Sequence, residues 1–194
     1  MKLYLVRHGE SSCNLQRMLY GRTDCPLTEL GREQAREVGE KLRDAGIERC
    51  VSSPLVRAAE TARIALEGRG IPVELDDGLM EQDMGEWENV YFPGLMEREP
   101  EVMQAMLFDW TQVIPPEGES FASVKARVAA ALERIAADGR DTLLVAHNGP
   151  LSTAMALLLG LPDSCVNSFW FDQGYFSCVE LLDRGAARLR RFNK

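Results

Sequence analysis

The chain holds only two histidines, His8 and His147, and each closes an apolar run and opens a turn. The first lies in Leu3-Tyr4-Leu5-Val6-Arg7-His8-Gly9-Glu10-Ser11, the second in Thr142-Leu143-Leu144-Val145-Ala146-His147-Asn148-Gly149-Pro150. Short β-prone runs bounded by turn signals read as buried strands. Both imidazoles are therefore expected at carboxyl ends of strands, the edge of an open α/β sheet where ligands bind. Gly9 allows a sharp turn and a close approach to a ligand. Arg7 adjoins the first histidine. Arg57 falls in the first turn of an expected helix opened by Ser53-Pro54, where a cation gains nothing from the helix dipole unless it meets an anion. If the two strands are neighbours, two imidazoles and two guanidiniums face one pocket, and arginine matches phosphate oxygens bidentately. A neutral imidazole is a usable nucleophile near pH 7, and phosphoryl transfer asks mainly for alignment and charge on the equatorial oxygens. An alkoxide leaves poorly, so a carboxylic acid belongs beside it. Glu10, Glu81, Glu86 and Glu88 compete for that place.

The elements that must position these groups follow in chain order. Residues 10–27 read as a long polar loop or a broken short helix, with Asn14, Arg22 and Thr23 offering donors suited to phosphate or hydroxyl groups. Thr28 is an N-cap candidate for a helix that Gly46 should end. A short strand over 48–52, the Arg57 helix, and an edge-like strand over 71–75 come next. The stretch Glu81-Gln82-Asp83-Met84-Gly85-Glu86-Trp87-Glu88 reads as a site-lining loop with Trp87 as its core anchor. Residues 90–116 read as an inserted helical cap over the carboxyl edge, its Met and Trp side chains packing on the domain. An amphipathic helix to about residue 137 leads into the second histidine strand. A helix over 151–160 then points its N-terminal amides at whatever His147 faces. Two final strands, 176–182 and 187–192, form a hairpin around Asp183-Arg184-Gly185.

At 194 residues the chain reads as one domain, 1–194, with the cap as an insertion. A hydrophobic fraction of 45% and a charged fraction of 27% are those of an ordinary globular protein. The net charge of −8 argues against nucleic acid and anionic membranes as partners. No apolar run approaches the roughly 18 residues that span a bilayer. The first strand begins at the N-terminus and leaves no room for a signal peptide. The five cysteines, Cys13, Cys25, Cys50, Cys165 and Cys178, form no Cys-x-x-Cys pair. Their odd number and scatter predict reduced thiols and a cytoplasmic protein. With two histidines and no ligand spacing, no metal or other cofactor is expected.

The Arg7-His8-Gly9-Glu10-Ser11 run resembles the signature of the histidine phosphatase superfamily, in its phosphoglycerate-mutase-like branch. Gly21-Arg22-Thr23-Asp24, Ser52-Ser53-Pro54 with Arg57-Ala58, the 81–88 stretch, Gly118-Glu119-Ser120 and Ala146-His147 carry the likeness onward in the family's order. The Gly-Arg-Thr-Asp and Gly-Glu-Trp-Glu forms are most similar to α-ribazole phosphatases and broad-specificity small-molecule phosphatases. The resemblance implies a three-layer α/β/α sandwich with a mostly parallel sheet. It implies His8 as nucleophile, Arg7, Arg57 and a protonated His147 on the phosphate oxygens, and Glu81 as general acid. It also implies Asn14 and Thr23 as phosphate or substrate contacts, and Arg22, Asn148 and Gly149 join them as candidate phosphate- or substrate-binding residues. Three departures, Cys13, Asn89 and Asn148, touch the pocket rim and bear on substrate choice.

The function that follows is a metal-independent phosphomonoesterase acting on small phosphate esters through a phosphohistidine. A bisphosphoglycerate-dependent phosphoglycerate mutase is the main alternative, although mutases of this branch carry longer lids and tails than residues 90–116 provide. A non-catalytic scaffold for phosphorylated ligands would show the loss of a histidine, arginine or acid, and none is lost here.

Overall fold

The computed structural model describes residues 1–182 and 185–194. The strands are β1 (Lys2–Arg7), β2 (Met18–Leu19), β3 (Arg49–Ser52), β4 (Val73–Leu75), β5 (Val90–Tyr91), β6 (Thr142–Ala146), β7 (Phe176–Leu181) and β8 (Ala187–Arg191). The helices are α1 (Ser12–Leu15), α2 (Glu29–Lys41), α3 (Val56–Ala65), α4 (Phe92–Arg98), α5 (Pro100–Asp109), α6 (Phe121–Asp138) and α7 (Asn148–Leu158). Six strands form one sheet in the order β4-β3-β6-β1-β7-β8. The pairs β4–β3, β3–β6 and β6–β1 are parallel, whereas β7 and β8 are added antiparallel. The turn expected around Asp183-Arg184-Gly185 falls partly outside the described residues.

Alternation along the strands builds two cores. Leu3, Leu5, Leu144 and Ala146 pack with Val124, Val128 and Ile135 of α6 and Leu151 and Met155 of α7. Tyr4, Val6, Leu143 and Val145 pack with Val38 and Leu42 from α2 and its C-cap and Ala58 and Ala62 of α3 on the opposite face. Every residue of β6 is buried, as a strand covered on both faces must be. The result is the three-layer α/β/α sandwich with a mostly parallel sheet. The helix over 121–138 repeats its apolar side chains at helical spacing, is capped by the Ser120 hydroxyl, and stops at Gly139 in the left-handed region.

Several boundaries differ from the sequence reading. α2 stops at Lys41 rather than Gly46 because the chain unwinds through tighter turns, where Arg69 takes the carbonyls of Leu42 and Ala45 at 3.0 and 2.7 Å. α3 opens at Val56 without a side-chain cap, and the Ser53 hydroxyl meets His147 and accepts from the Leu55 amide at 3.3 Å. α7 opens at Asn148, so the expected turn is its first turn, a place that tolerates Pro150. Cys13 and Cys25 form a disulfide, against the expected reduced thiols, while Cys50, Cys165 and Cys178 are free. The ends of the 10–27 loop pair with each other through Ser11–Leu27 and Ser12 N to Pro26 O, and this brings the two cysteines to a Cα separation of 5.9 Å.

Residues 90–109 hold β5, which pairs with β2, followed by α4 and α5. Leu95 and Met103 bury themselves against Met84 and Trp87, as expected of packing residues. Met106 and Trp110 also pack partly buried against the core, and together with Leu107 they line a cavity beside the sheet edge. Among the described residues no helix is long and apolar enough to cross a membrane.

Candidate active site

β1 and β6 are adjacent and parallel, with Arg7 in register with Ala146 and the His8 amide donating to the Ala146 carbonyl at 3.0 Å. That register sets the two strand-end histidines side by side, with ring centroids 5.1 Å apart. Both rings are buried. His8 Nδ1 lies 2.7 Å from the Gly9 carbonyl, which can only accept, so Nδ1 carries the proton and Nε2 keeps its lone pair. Burial, then the Arg57 and Arg7 cations, push His8 well below the usual histidine range. The loop bends tightly here because Gly9 lies on the first turn of α2. A Cβ on Gly9 would stand 2.2 Å from the Gly31 carbonyl oxygen.

His147 Nε2 meets the Ser53 hydroxyl at 2.8 Å, and its Nδ1 is buried without a protein partner. Burial, then Arg57, His8 and Arg7, hold this ring neutral, so the expected imidazolium is not its resting form. A dianion placed among these groups would favour the proton again.

Arg57 is fully buried, with Nη1 donating to the Thr23 carbonyl at 2.9 Å and Nη2 to the Gly21 carbonyl at 2.6 Å. Its guanidinium lies 4.8 Å from the Tyr20 ring. Arg7 Nη1 donates to the Phe171 carbonyl at 3.0 Å, and its guanidinium stacks 5.0 Å from Trp170. Nε of each arginine is buried and makes no hydrogen bond in the protein. These two donors and His147 Nδ1 suit an anion with several acceptor oxygens.

Glu81 lines the cavity, but its carboxyl is enclosed. Burial raises its pKa, and the Gln82 amide, Arg57 and the Gly149 amide oppose the rise without cancelling it. The Gly149 amide donates to Oε2 at 3.3 Å, and a Cβ on Gly149 would lie 2.5 Å from Oε1. A carboxyl whose pKa is raised by such enclosure is suited to give up a proton.

The remaining candidates divide. Asn148 and Gly149 line the cavity, Asn148 while accepting from the Phe171 amide at 3.0 Å. Arg22 is not brought to the site: its side chain is 43% exposed and pairs with Glu119 and Asp83. Thr23 gives its hydroxyl to Glu88 at 2.5 Å and serves the site through its carbonyl. The Asn14 side-chain oxygen closes a capping box with Ser11 and accepts from Gln173. Glu88 is engaged by Thr23 and by the backbone amides around it, which removes it as a rival acid. Four groups escaped the sequence reading. Ser53 was legible only as a helix cap, Tyr20 and Trp170 as loop aromatics, and the Phe171 carbonyl carries no sequence signal.

Fold and site together define an α/β protein with a neutral imidazole pair walled by protein cations at a parallel-strand edge. The family model described as "Histidine phosphatase superfamily (branch 1)" matches residues 3–194, and the chain belongs to that family. The adenosylcobalamin/α-ribazole phosphatase of Salmonella typhimurium is 36% identical over 195 residues, covering 100% of this chain and 96% of the relative. A protein of Enterobacter sp. named "Probable phosphoglycerate mutase GpmB" is 37% identical over 164 residues, 84% of this chain and 76% of its own. Among solved structures, the α-ribazole phosphatase of Shigella flexneri superposes with a TM-score of 0.91 at 34% identity, over 100% of this chain and 96% of that one. A mycobacterial glucosyl-3-phosphoglycerate phosphatase gives 0.88 at 28%, covering 99% and 98%. The full-length likeness to phosphatases identifies the chain as a phosphatase.

Proposed function

We propose that the chain hydrolyses small phosphate monoesters through a phosphohistidine on His8, without a metal ion. The reading rests above all on the His8 Nδ1 to Gly9 carbonyl bond, which directs an unprotonated Nε2 away from its own backbone beside His147. Nε2 attacks phosphorus in line with the ester oxygen. Arg7, Arg57 and His147 take the equatorial oxygens. As the P–O bond breaks, the leaving oxygen takes the Glu81 proton. The resulting carboxylate then removes a proton from water, the oxygen of that water attacks phosphorus, and the P–N bond breaks. Phosphate leaves, His8 is neutral again and Glu81 is reprotonated. The 194 residues work in this scheme as one histidine-phosphatase domain with 90–116 as its cap.

The alcohol part of the substrate belongs in the cavity of about 320 Å³ next to Glu81, whose walls include Phe92, Met106, Phe108, Trp110, Phe169 and Trp170. An apolar or aromatic alcohol fits such walls, and α-ribazole 5′-phosphate, suggested by the relatives' names, is of that class. The mutase reading draws on the Enterobacter relative. Against it, Arg7 is the only cation among the described residues lining that cavity, and a glycerate carboxylate would need a partner there.

The test is hydrolysis of p-nitrophenyl phosphate with EDTA present, by the native chain and by His8→Ala. Activity that survives EDTA and falls about 1,000-fold or more in the variant supports the reading. Equal activity in both proteins would remove His8 as nucleophile.

A further inference from the structure

Glu81 sits on irregular backbone between two 3₁₀ turns, Asp77–Leu79 and Gly85–Trp87, where no sheet ladder or helix fixes it. What does fix it comes from α6. All five donors of Arg127 are engaged, the full capacity of a guanidinium. Nε and Nη2 form a bidentate pair with Glu119 Oε1 and Oε2 at 2.8 and 2.9 Å. Nη1 donates to the carbonyls of Gly78 and Met80 at 2.9 and 2.5 Å, and Nη2 to the Glu81 carbonyl at 3.1 Å. Glu119 extends the grip. Its carboxylate accepts from the Asp83 amide at 3.3 Å, its own amide donates to the Asp83 carbonyl at 2.9 Å, and its carbonyl accepts from Gln82 Nε2 at 2.7 Å. Gly78, Met80, Glu81 and Asp83 are thus held by one ion pair whose side chains are 17% and 10% exposed, and Gln82 by the Glu119 backbone.

We infer that the Arg127–Glu119 pair is the positioning device for proton delivery. It sets where the Glu81 carboxyl stands against the leaving oxygen, while the groups that attack and bind the phosphate, His8, His147, Arg7 and Arg57, stand on other elements. The hydrogen bonds of the Arg127 guanidinium run to 78–81 and Glu119, and none runs to those elements, β1, β6 and the N-terminal turn of α3. The inference rests on Glu81 being the general acid.

The experiment compares kcat/KM for two esters, p-nitrophenyl phosphate and benzyl phosphate, in the native chain, Arg127→Lys, Arg127→Met, Glu119→Gln and Glu81→Gln. A p-nitrophenolate leaves without a proton, whereas benzyl alkoxide needs one. kcat/KM reports only steps through alcohol departure, so the later attack of water does not enter. The ratio of the two values within one preparation is also independent of the fraction folded, which keeps a poorly folding variant readable. A carboxyl displaced by about 1 Å costs up to about 100-fold where its proton is needed. The expected result is a 10- to 100-fold fall for benzyl phosphate with a change under about 3-fold for the nitrophenyl ester, in the Arg127 and Glu119 variants and more strongly in Glu81→Gln. If Glu81→Gln lowers both esters equally, the acid assignment itself fails. If Glu81→Gln is selective but the Arg127 and Glu119 variants lower both esters equally, or neither, the pair is only structural and the inference is overturned.

Discussion

Glu88 holds the loop that holds Arg57, and Glu88→Gln should therefore damage both stability and catalysis. Its carboxylate accepts from the amides of Gly21 (3.1 Å to both oxygens), Arg22 (2.7 Å), Thr23 (3.0 Å) and Met84 (3.0 Å), and from the Thr23 hydroxyl (2.5 Å). A glutamine side chain keeps one acceptor oxygen. Either orientation turns its NH₂ toward at least two of these donors, opposite Arg22 and Met84 or opposite Thr23. Hydrogen bonds to a charged group contribute about 1.5–3 kcal/mol each, and water at this half-buried position recovers part of the loss, so a net cost of about 2–3 kcal/mol follows. In a chain of this size that is a fall in Tm of about 4–12 °C. The Gly21 and Thr23 carbonyls would shift with the loop and carry Arg57 with them, at a cost of about 10- to 100-fold in kcat/KM. The pH dependence has a definite sign. Burial pushes the Glu88 carboxyl up, but the Thr23 hydroxyl and the amides outweigh it and hold the pKa below the usual range. Its contribution is therefore present above the unfolded value of about 4.3 and is lost as pH falls through the lower folded value. The gap between native and variant melting temperatures should close in that acidic window. Calorimetric melts at several pH values with p-nitrophenyl phosphate kinetics test this. A variant melting within about 1 °C of the native chain at pH 7, with unchanged kcat/KM, would refute the reasoning.

Three further outcomes are expected. Because burial raises the Glu81 carboxyl, kcat/KM for an alkyl phosphate should fall as pH rises through that raised value, and Glu81→Gln should remove this limb. Because His8 is pushed far down, no acid limb should appear near the ordinary histidine value of about 6.5 once the ester's own ionisation is divided out, and one found there would contradict the assignment. Trp170 is 61% exposed at the cavity wall, so Trp170→Ala should raise KM for benzyl phosphate about 2- to 12-fold more than for glycerol phosphate. Equal effects on the two esters would confine Trp170 to its stacking on Arg7.

The strand-end histidines were legible because their signals are local: an apolar run, then a turn, twice. Only adjacency was missing, and a parallel β1–β6 pair supplies it. Arg57 was legible for a similar reason, as a cation at a helix start with no dipole to favour it. The polar loop 10–27 was legible as a source of donors, but not the partners those donors take. Polarity marks a segment as solvated or ligand-facing, yet the partner of each polar atom is set by chain far away in sequence. Thr23 meets Glu88, and Arg22 meets Asp83 and Glu119. Cys13 and Cys25 came together for the same reason, through pairing of the loop's own ends, which no cysteine spacing rule detects.

The groups that hold the arginines are mostly carbonyls, those of Gly21, Thr23 and Phe171. A carbonyl belongs to every residue, so a site built on carbonyls leaves no trace in residue types at those positions. It leaves a trace one step further out, in the carboxylates that fix the backbone bearing them. Glu88 fixes 21–23, and Glu119 with Arg127 fixes 78–83. Glu88 looked like a rival for the catalytic proton because it shares the chemistry and the neighbourhood of Glu81. The amides around Glu88 and the guanidinium of Arg127 beside Glu119 hold both carboxyls below their usual range, whereas enclosure raises Glu81. Like side chains at 81, 88 and 119 are thus set apart by what each one faces. A carboxyl held below its usual range, as at Glu88 or Glu119, organises backbone as an anion, whereas the raised pKa of Glu81 suits it to the proton-carrying role proposed for it.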